Sequence, residues 1–287
     1  MVALILDGRL VSNILHNNIK MAIKARKNKG LKAPGLAVIL VGDDMPSRIY
    51  VTNKRKACLE LGLNSHDYDL PNNVSETALL DLITDLNDNQ NIDGILVQLP
   101  LPTKINTSKI IECINPLKDV DGFHPYNIGR LAQQNPFLRP CTPYGIIKLL
   151  NYYKIMLKGK HAVIVGDSNI VGRPMALEFL LAGATVTICH RFTTNLAMHV
   201  QRGDIIVSAT GARNIVNVDW LRGGQVVVDV GIQRDAQGKL CGDLNFDQAQ
   251  KKVAWITPVP GGVGPMTIAC LLENTLFAAE QVDQDNN

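Results

Sequence analysis

The stretch "GLAVILVG" at 35–42 most constrains how this chain can fold. It is a short, unbroken apolar run with no polar alternation. That is the pattern of a strand covered on both faces, as in a parallel sheet with helices on either side. The surrounding chain fits. Residues 7–29 read as an amphipathic helix ended by Gly30, and a helix through Tyr50 closes at Gly62. A strand follows at 64–70, Ser75 can cap a helix over 76–88, and "DGILVQLPLP" (93–102) reads as another buried strand. This β-α-β-α-β rhythm predicts a parallel sheet.

A second α/β run begins with a strand at 161–166. A helix over 172–182, a strand at 184–190 and a short helix over 194–202 come next, then strands at 204–211 and 225–232. Between the two runs, residues 115–145 are rich in Pro, Gly and Asn and read as a long loop and domain junction, with a helix over 143–154. Residues 255–265 read as a further Pro/Gly loop, and Pro265 as the opening of a last helix. A length of 287 residues suits two domains.

Composition excludes several classes of function. A net charge of +3 is too small to imply nucleic-acid binding, and Lys20, Lys24, Arg26, Lys27 and Lys29 read as one solvated helix face. The six cysteines are scattered with no C-x-x-C pair, so no zinc site is expected, and Asp119, Asp121 and His124 lack the fixed ligand spacing of a metal site. They fit small buried hydrophobes in a reducing compartment. "MVALILDG" is too brief for a signal peptide, and nothing approaches a membrane span. The expectation is a cytoplasmic protein with no membrane partner.

Three stretches carry chemistry. "VIVGDSNIVGRPM" (163–175) joins a strand to a helix, the setting in which free backbone N–H groups and the helix dipole meet a phosphate. It is neither G-x-G-x-x-G nor a P-loop, since Ser168 stands at the middle glycine and no Gly-Lys-Ser/Thr follows. Gly166 permits the tight turn, Gly172 close helix packing, and Ser168 can donate to a phosphate. After the next strand, "CHRFTTN" offers His190 and Arg191 where an NAD site carries an acid. A cation there suits the extra phosphate of NADP, whereas Asp167 would repel it. Asp229 ends a strand at the edge where a nicotinamide would lie, or serves as a structural cap.

In the first half, Tyr50 and Lys54 stand four residues apart, on one helix face. They read either as a surface lysine over an aromatic or as a proton-handling pair. Gln98 ends a strand, and a buried amide there needs partners. "KDVDGFHP" (118–125) brings Asp119, Asp121 and His124 together, either as turn chemistry or as a carboxylate for an amidine-like edge such as a pterin's.

In order, "YVTNKRKAC", "VQLPLP", "KDVDGFHP", "PCTPYGI", "SNIVGRPM" and "ITPVPGGVGPMT" span essentially the whole chain. It thereby resembles the bifunctional methylenetetrahydrofolate dehydrogenase/methenyltetrahydrofolate cyclohydrolase family, most closely its bacterial form. The resemblance implies two α/β domains with a cleft between them, the second a Rossmann-like doubly wound parallel sheet. Residues 1–140 would form the folate-binding catalytic domain, with a helix over 266–287 packing back on it, and 141–265 the NADP-binding domain. The implied catalytic residues are Lys54, Tyr50 and Gln98. Tyr50, Asp121, Pro260 and Gly262 would bind a tetrahydrofolate derivative, and Gly166, Asp167, Ser168, Arg191 and Ile232 would contact NADP. Many family members carry arginine where this chain has Asp167. A homodimer is also implied.

Two rival readings fit less well. A short-chain-type reductase also uses Tyr-x-x-x-Lys, but its glycine loop precedes the tyrosine, whereas here Tyr50 precedes Gly166. A non-catalytic dinucleotide-binding protein would not need Lys54, Gln98 and Asp121 together.

Overall fold

The chain opens on a two-residue strand, β1 (Leu4–Ile5), and the amphipathic helix α1 (Gly8–Asn28). These belong to a computed structural model that describes residues 2–285. The chain divides into two units, one of Met1–Asn13 with Pro140–Thr267, the other of Ile14–Arg139 with Ile268–Asn287.

The second of these holds a three-stranded parallel sheet. Its elements are β2 (Gly35–Val41), α2 (Met45–Leu61), β3 (Asn64–Leu70), α3 (Glu76–Asp88), β4 (Gly94–Val97), α4 (Thr107–Cys113) and α5 (Pro125–Ala132). The strand order is β3-β2-β4. Every residue of β2 is buried, as its apolar run predicts. On one face Ala37, Ile39 and Val41 pack with Leu79, Ile83 and Leu86 of α3 and with Ile95 and Val97. At about 25 cal/mol per Å² of apolar area removed from water, this burial is the main force holding helix to sheet.

The other unit is built on six parallel strands. After α6 (Cys141–Tyr152) come β5 (His161–Val165), α7 (Gly172–Leu181), β6 (Thr185–Cys189), α8 (Leu196–Arg202), β7 (Ile205–Ser208) and β8 (Val226–Asp229). A 3-10 turn at Val218–Trp220 precedes β8. The small antiparallel pair β9 (Gln233–Arg234) and β10 (Leu240–Cys241), the turn α9 (Phe246–Ala249), β11 (Trp255–Ile256) and α10 (Val263–Asp285) complete the chain. The sheet order is β1-β11-β8-β7-β5-β6. Thus β6 lies on one side of β5 and β7 and β8 on the other, the reversal at which doubly wound sheets bind ligands.

Several expectations need correction. Residues 115–145 are not one loop, because they contain α5 and the start of α6. His124 caps α5 by accepting from Tyr126 N at 3.0 Å, and Pro125 stands in its first turn, where its missing N–H costs nothing. The strand expected over 93–102 ends at Val97, ahead of Pro100 and Pro102, which cannot donate to a ladder. Those expected over 204–211 and 225–232 end at Ser208 and Asp229. In the 255–265 loop, Trp255–Ile256 forms β11, which pairs with β8 and β1. The last helix starts at Val263, so Pro265 lies inside its first turn. Residues 286 and 287 of the helix expected over 266–287 lie outside the described residues. Among the described residues no helix is long and apolar enough to cross a membrane.

Candidate active site

In the three-stranded unit the site is built by side chains at the carboxyl ends of β2 and β4. Helix α2 starts firmly. Asp44 caps it by accepting from Ser47 N at 2.9 Å, and Gly62 closes it in the left-handed region at φ 87°. Its buried stripe is Ser47, Val51, Lys54, Cys58 and Leu61. The lysine therefore occupies a core position and is only 6% exposed. A buried ammonium without a partner costs several kcal/mol. Gln98, just past β4, supplies the partner: its Oε1 accepts from Lys54 Nζ at 3.1 Å. Gln98 Nε2 in turn donates to Leu99 O at 2.7 Å, which fixes which end of the amide faces the lysine. Tyr50 lies half-buried one turn before Lys54, and burial raises its phenol above the ordinary value.

Asp121 follows the point where Asp119 pairs alongside Ile95 in parallel. Buried Asp119 holds this segment. Its carboxylate accepts from His124 N at 2.8 Å, Asn127 Nδ2 at 2.9 Å and Phe123 N at 3.2 Å. Burial pushes its acid up to about 7, against these donors, which pull it down. Val120 packs on β4 where a side chain on Gly94 would stand 2.5 Å from its Cγ1. Asn274 of α10 clamps the loop by donating to Val120 O and Arg139 O, both at 2.9 Å. Asp121 itself is half-buried.

In the six-stranded unit the site is mostly backbone. Gly166 ends β5 at φ 120°, and a Cβ there would overlap the carbonyl of Ala209. A Cβ on Gly172 would overlap the carbonyl of Gly166. The turn thus requires both glycines. Ser168 Oγ accepts from Val171 N at 3.2 Å and Gly172 N at 3.4 Å, bracing the turn that leads into α7. Arg173 donates through Nε to Asp167 O at 2.9 Å, and its Nη2 lies 3.5 Å from the Asp167 carboxylate. The acid at this turn is thereby paired with a cation. Arg191 is exposed just after β6, with its guanidinium 4.6 Å from the Phe192 ring centroid. Ile232 is 43% exposed beyond β8. Pro260 is exposed and Gly262 buried, and a Cβ on Gly8 would overlap the Gly262 carbonyl. A cradle that added Cβ atoms would fill, at a strand–helix turn on the sheet's reversal point, fits a dinucleotide.

Known proteins agree with both halves. Residues 6–121 match the catalytic domain of the tetrahydrofolate dehydrogenase/cyclohydrolase family, and 140–283 its NAD(P)-binding domain. The chain belongs to that family. It is 57% identical over 282 residues to the bifunctional protein FolD of Legionella pneumophila strain Corby, across 98% of this chain and 99% of that one. The crystal structure of the bifunctional FolD methylenetetrahydrofolate dehydrogenase/cyclohydrolase of Campylobacter jejuni superposes with a TM-score of 0.95 at 48% identity, covering 98% and 99% of the two chains. The Trypanosoma brucei FolD enzyme, solved with NADP and an inhibitor, gives a TM-score of 0.95 at 36% identity, covering 99% of both.

Within this family frame, the structure brings Lys54 and Gln98 into direct contact. It separates the three polar residues of the 118–125 stretch by task, since Asp119 and His124 serve the loop and α5. His190 likewise serves a turn, its Nδ1 accepting from Phe192 N at 3.2 Å. Asp229 is the cap that one of its two readings allowed. Its carboxylate accepts from Asp243 N and Leu244 N at 2.9 Å and Gly231 N at 3.0 Å, while burial pushes its acid up to about 6. Sequence reasoning missed Asn127, Arg173, Asp243 and Asn274. Only Arg173 left a local signal, as a cation six residues after Asp167.

Proposed function

We infer that this chain oxidises methylenetetrahydrofolate to methenyltetrahydrofolate with NADP as acceptor, then hydrolyses the product to formyltetrahydrofolate, in one-carbon metabolism. The observation that carries this reading is the pairing of buried Lys54 with Gln98, in a chain whose other unit offers a glycine-built dinucleotide turn. Bound NADP supplies the hydride acceptor.

The dehydrogenase step moves a hydride and no proton. The second step needs proton work: water adds to the methenyl carbon and loses a proton, and the departing nitrogen gains one. Lys54 Nζ is the group for that task, held by Gln98 Oε1. We assign Tyr50, Asp121, Pro260 and Gly262 to folate binding, with Asp121 taking two parallel hydrogen bonds from the pterin edge. Gly166, Asp167, Ser168 and Ile232 contact the cofactor, and Arg191 holds the phosphate that distinguishes NADP from NAD. The pairing of Asp167 with Arg173 supports that preference, because it offsets the one acid at the turn. A cytoplasmic homodimer is part of the same reading: the family likeness supports the dimer, and six free cysteines fit a reducing compartment.

The test is a two-part assay on the purified protein. With methylenetetrahydrofolate and NADP it should form NADPH, and with methenyltetrahydrofolate alone it should form formyltetrahydrofolate. Absence of either product removes that half of the assignment.

A further inference from the structure

Strands β7 and β8 end at Ser208 and Asp229, and the chain then turns through 209–211 and 230–232. A dinucleotide with its pyrophosphate at the β5–α7 turn and its adenosine ribose beside Arg191, past β6, must extend its nicotinamide the other way. That direction leads over the ends of β7 and β8. What fixes these ends is a fully buried carboxylate, Asp243, which returns to them from beyond β10.

Asp243 Oδ2 accepts from Thr210 N at 2.8 Å, Thr210 Oγ1 at 2.9 Å, Ser208 Oγ at 3.2 Å and Gly211 N at 3.3 Å. Its Oδ1 accepts from Gln233 Nε2 at 2.9 Å. Asp229 completes the lock from the other side, since its Oδ1 accepts from the Asp243 and Gly231 amides. Two glycines make room. A Cβ on Gly231 would overlap Asp243 Oδ1, and one on Gly242 would overlap Asp229 Oδ2. All these donors are neutral, so two carboxylates lie beside each other held by dipoles alone. Burying charge this way is expensive. Ile232 sits between Gly231 and Gln233, the two residues that the carboxylates tie down.

We propose that Asp243 is a positioning residue for hydride transfer: with Asp229 it holds Thr210–Gly211 and Gly231–Gln233 so that the strand ends and Ile232 set the pose of the nicotinamide. The proposal rests on the dehydrogenase reading above. It gives Asp243 no part in the cyclohydrolase step, which needs no nicotinamide.

Asp243→Ala, Asp243→Asn and Gln233→Leu test it in the full chain. Misplacing a reacting centre by about 1 Å can cost about 100-fold. Asp243→Ala should therefore lower dehydrogenase kcat by about that factor, raise the deuterium isotope effect on hydride transfer, and leave cyclohydrolase activity within about twofold of wild type. Asp243→Asn should recover much of the loss, because its amide oxygen can still accept from the Thr210 and Gly211 amides while Gln233 turns its own amide to accept from the new Nδ2. If Asp243→Ala does not fold, Gln233→Leu removes one tether and must show the same split between activities. Equal loss of both activities, or an unchanged dehydrogenase, in Asp243→Ala, or in Gln233→Leu if the alanine variant does not fold, overturns the proposal. A wild-type protein without dehydrogenase activity would instead overturn the functional reading beneath it.

Discussion

The two parallel sheets make their sites in opposite ways. In the three-stranded unit the proposed chemistry rests on side chains, with Lys54 set into a buried stripe and held by an amide from the neighbouring strand end. In the six-stranded unit it is carried by backbone. Glycines at 166 and 172 bring peptide groups close together, and buried acids pin the loops past the strands. The difference follows from the ligands assigned to each. A proton must be moved by a titratable group. A pyrophosphate is best met by many N–H dipoles, which need close approach and no side chain.

The largest effect should come from Lys54→Gln, which keeps polarity and cannot titrate. Cyclohydrolase activity should fall by about 10²–10⁴-fold, with the dehydrogenase less affected. A variant that hydrolyses methenyltetrahydrofolate at the wild-type rate would break the side-chain half of the comparison. Gly166→Ala probes the backbone half. At φ 120°, with the Ala209 carbonyl in the way, the new Cβ brings strain of about 1–3 kcal/mol. NADP affinity should drop by roughly tenfold or more, while the cyclohydrolase persists. Titration of NADP by fluorescence, beside the hydrolysis assay, reads both, and unchanged affinity would show that the turn tolerates a side chain.

Arg191→Ala should have the smallest effect of the three and sharpen the picture, because Arg191 is the one side chain assigned a charge-reading task in the backbone-built site. A charge-assisted hydrogen bond is worth about 1.5–3 kcal/mol, and exposure places this one toward the lower end. The loss should fall on NADP and spare NAD. A wild-type enzyme that uses NAD equally well would remove the assignment.

Much of this architecture was legible in the residues. The apolar run at 35–41 became a strand buried at every position, and the expected strand at 64–70 and helix at 76–88 appear with those bounds. Such elements follow from local chemistry: apolar periodicity, a Ser75 cap, a left-handed Gly62. Lys54 carried a stronger signal than its spacing from Tyr50, since residues 47, 51, 54, 58 and 61 recur at helical spacing with the lysine in their midst. The 115–145 region misled because Pro125 starts α5 and Pro140 stands just ahead of α6, while Gly129 and Gly145 lie within those helices.

The sequence by itself determined the alternation of strands and helices, the glycine turn and the ordered blocks that mark the family, because each depends on neighbours along the chain. Only the tertiary structure decided which polar groups are partners. Gln98 reaches Lys54 across 44 residues, Asp243 reaches Thr210 across 33, and Asn274 reaches Val120 across 154. A buried donor or acceptor must find its complement wherever the fold brings one, and nothing in the local pattern says where that will be. The same physics divides Asp119 from Asp121. Two residues apart and alike in sequence, they differ in burial: the Asp119 carboxylate turns into the loop's own amides and becomes scaffold, while Asp121, the residue proposed to bind folate, stays half-buried.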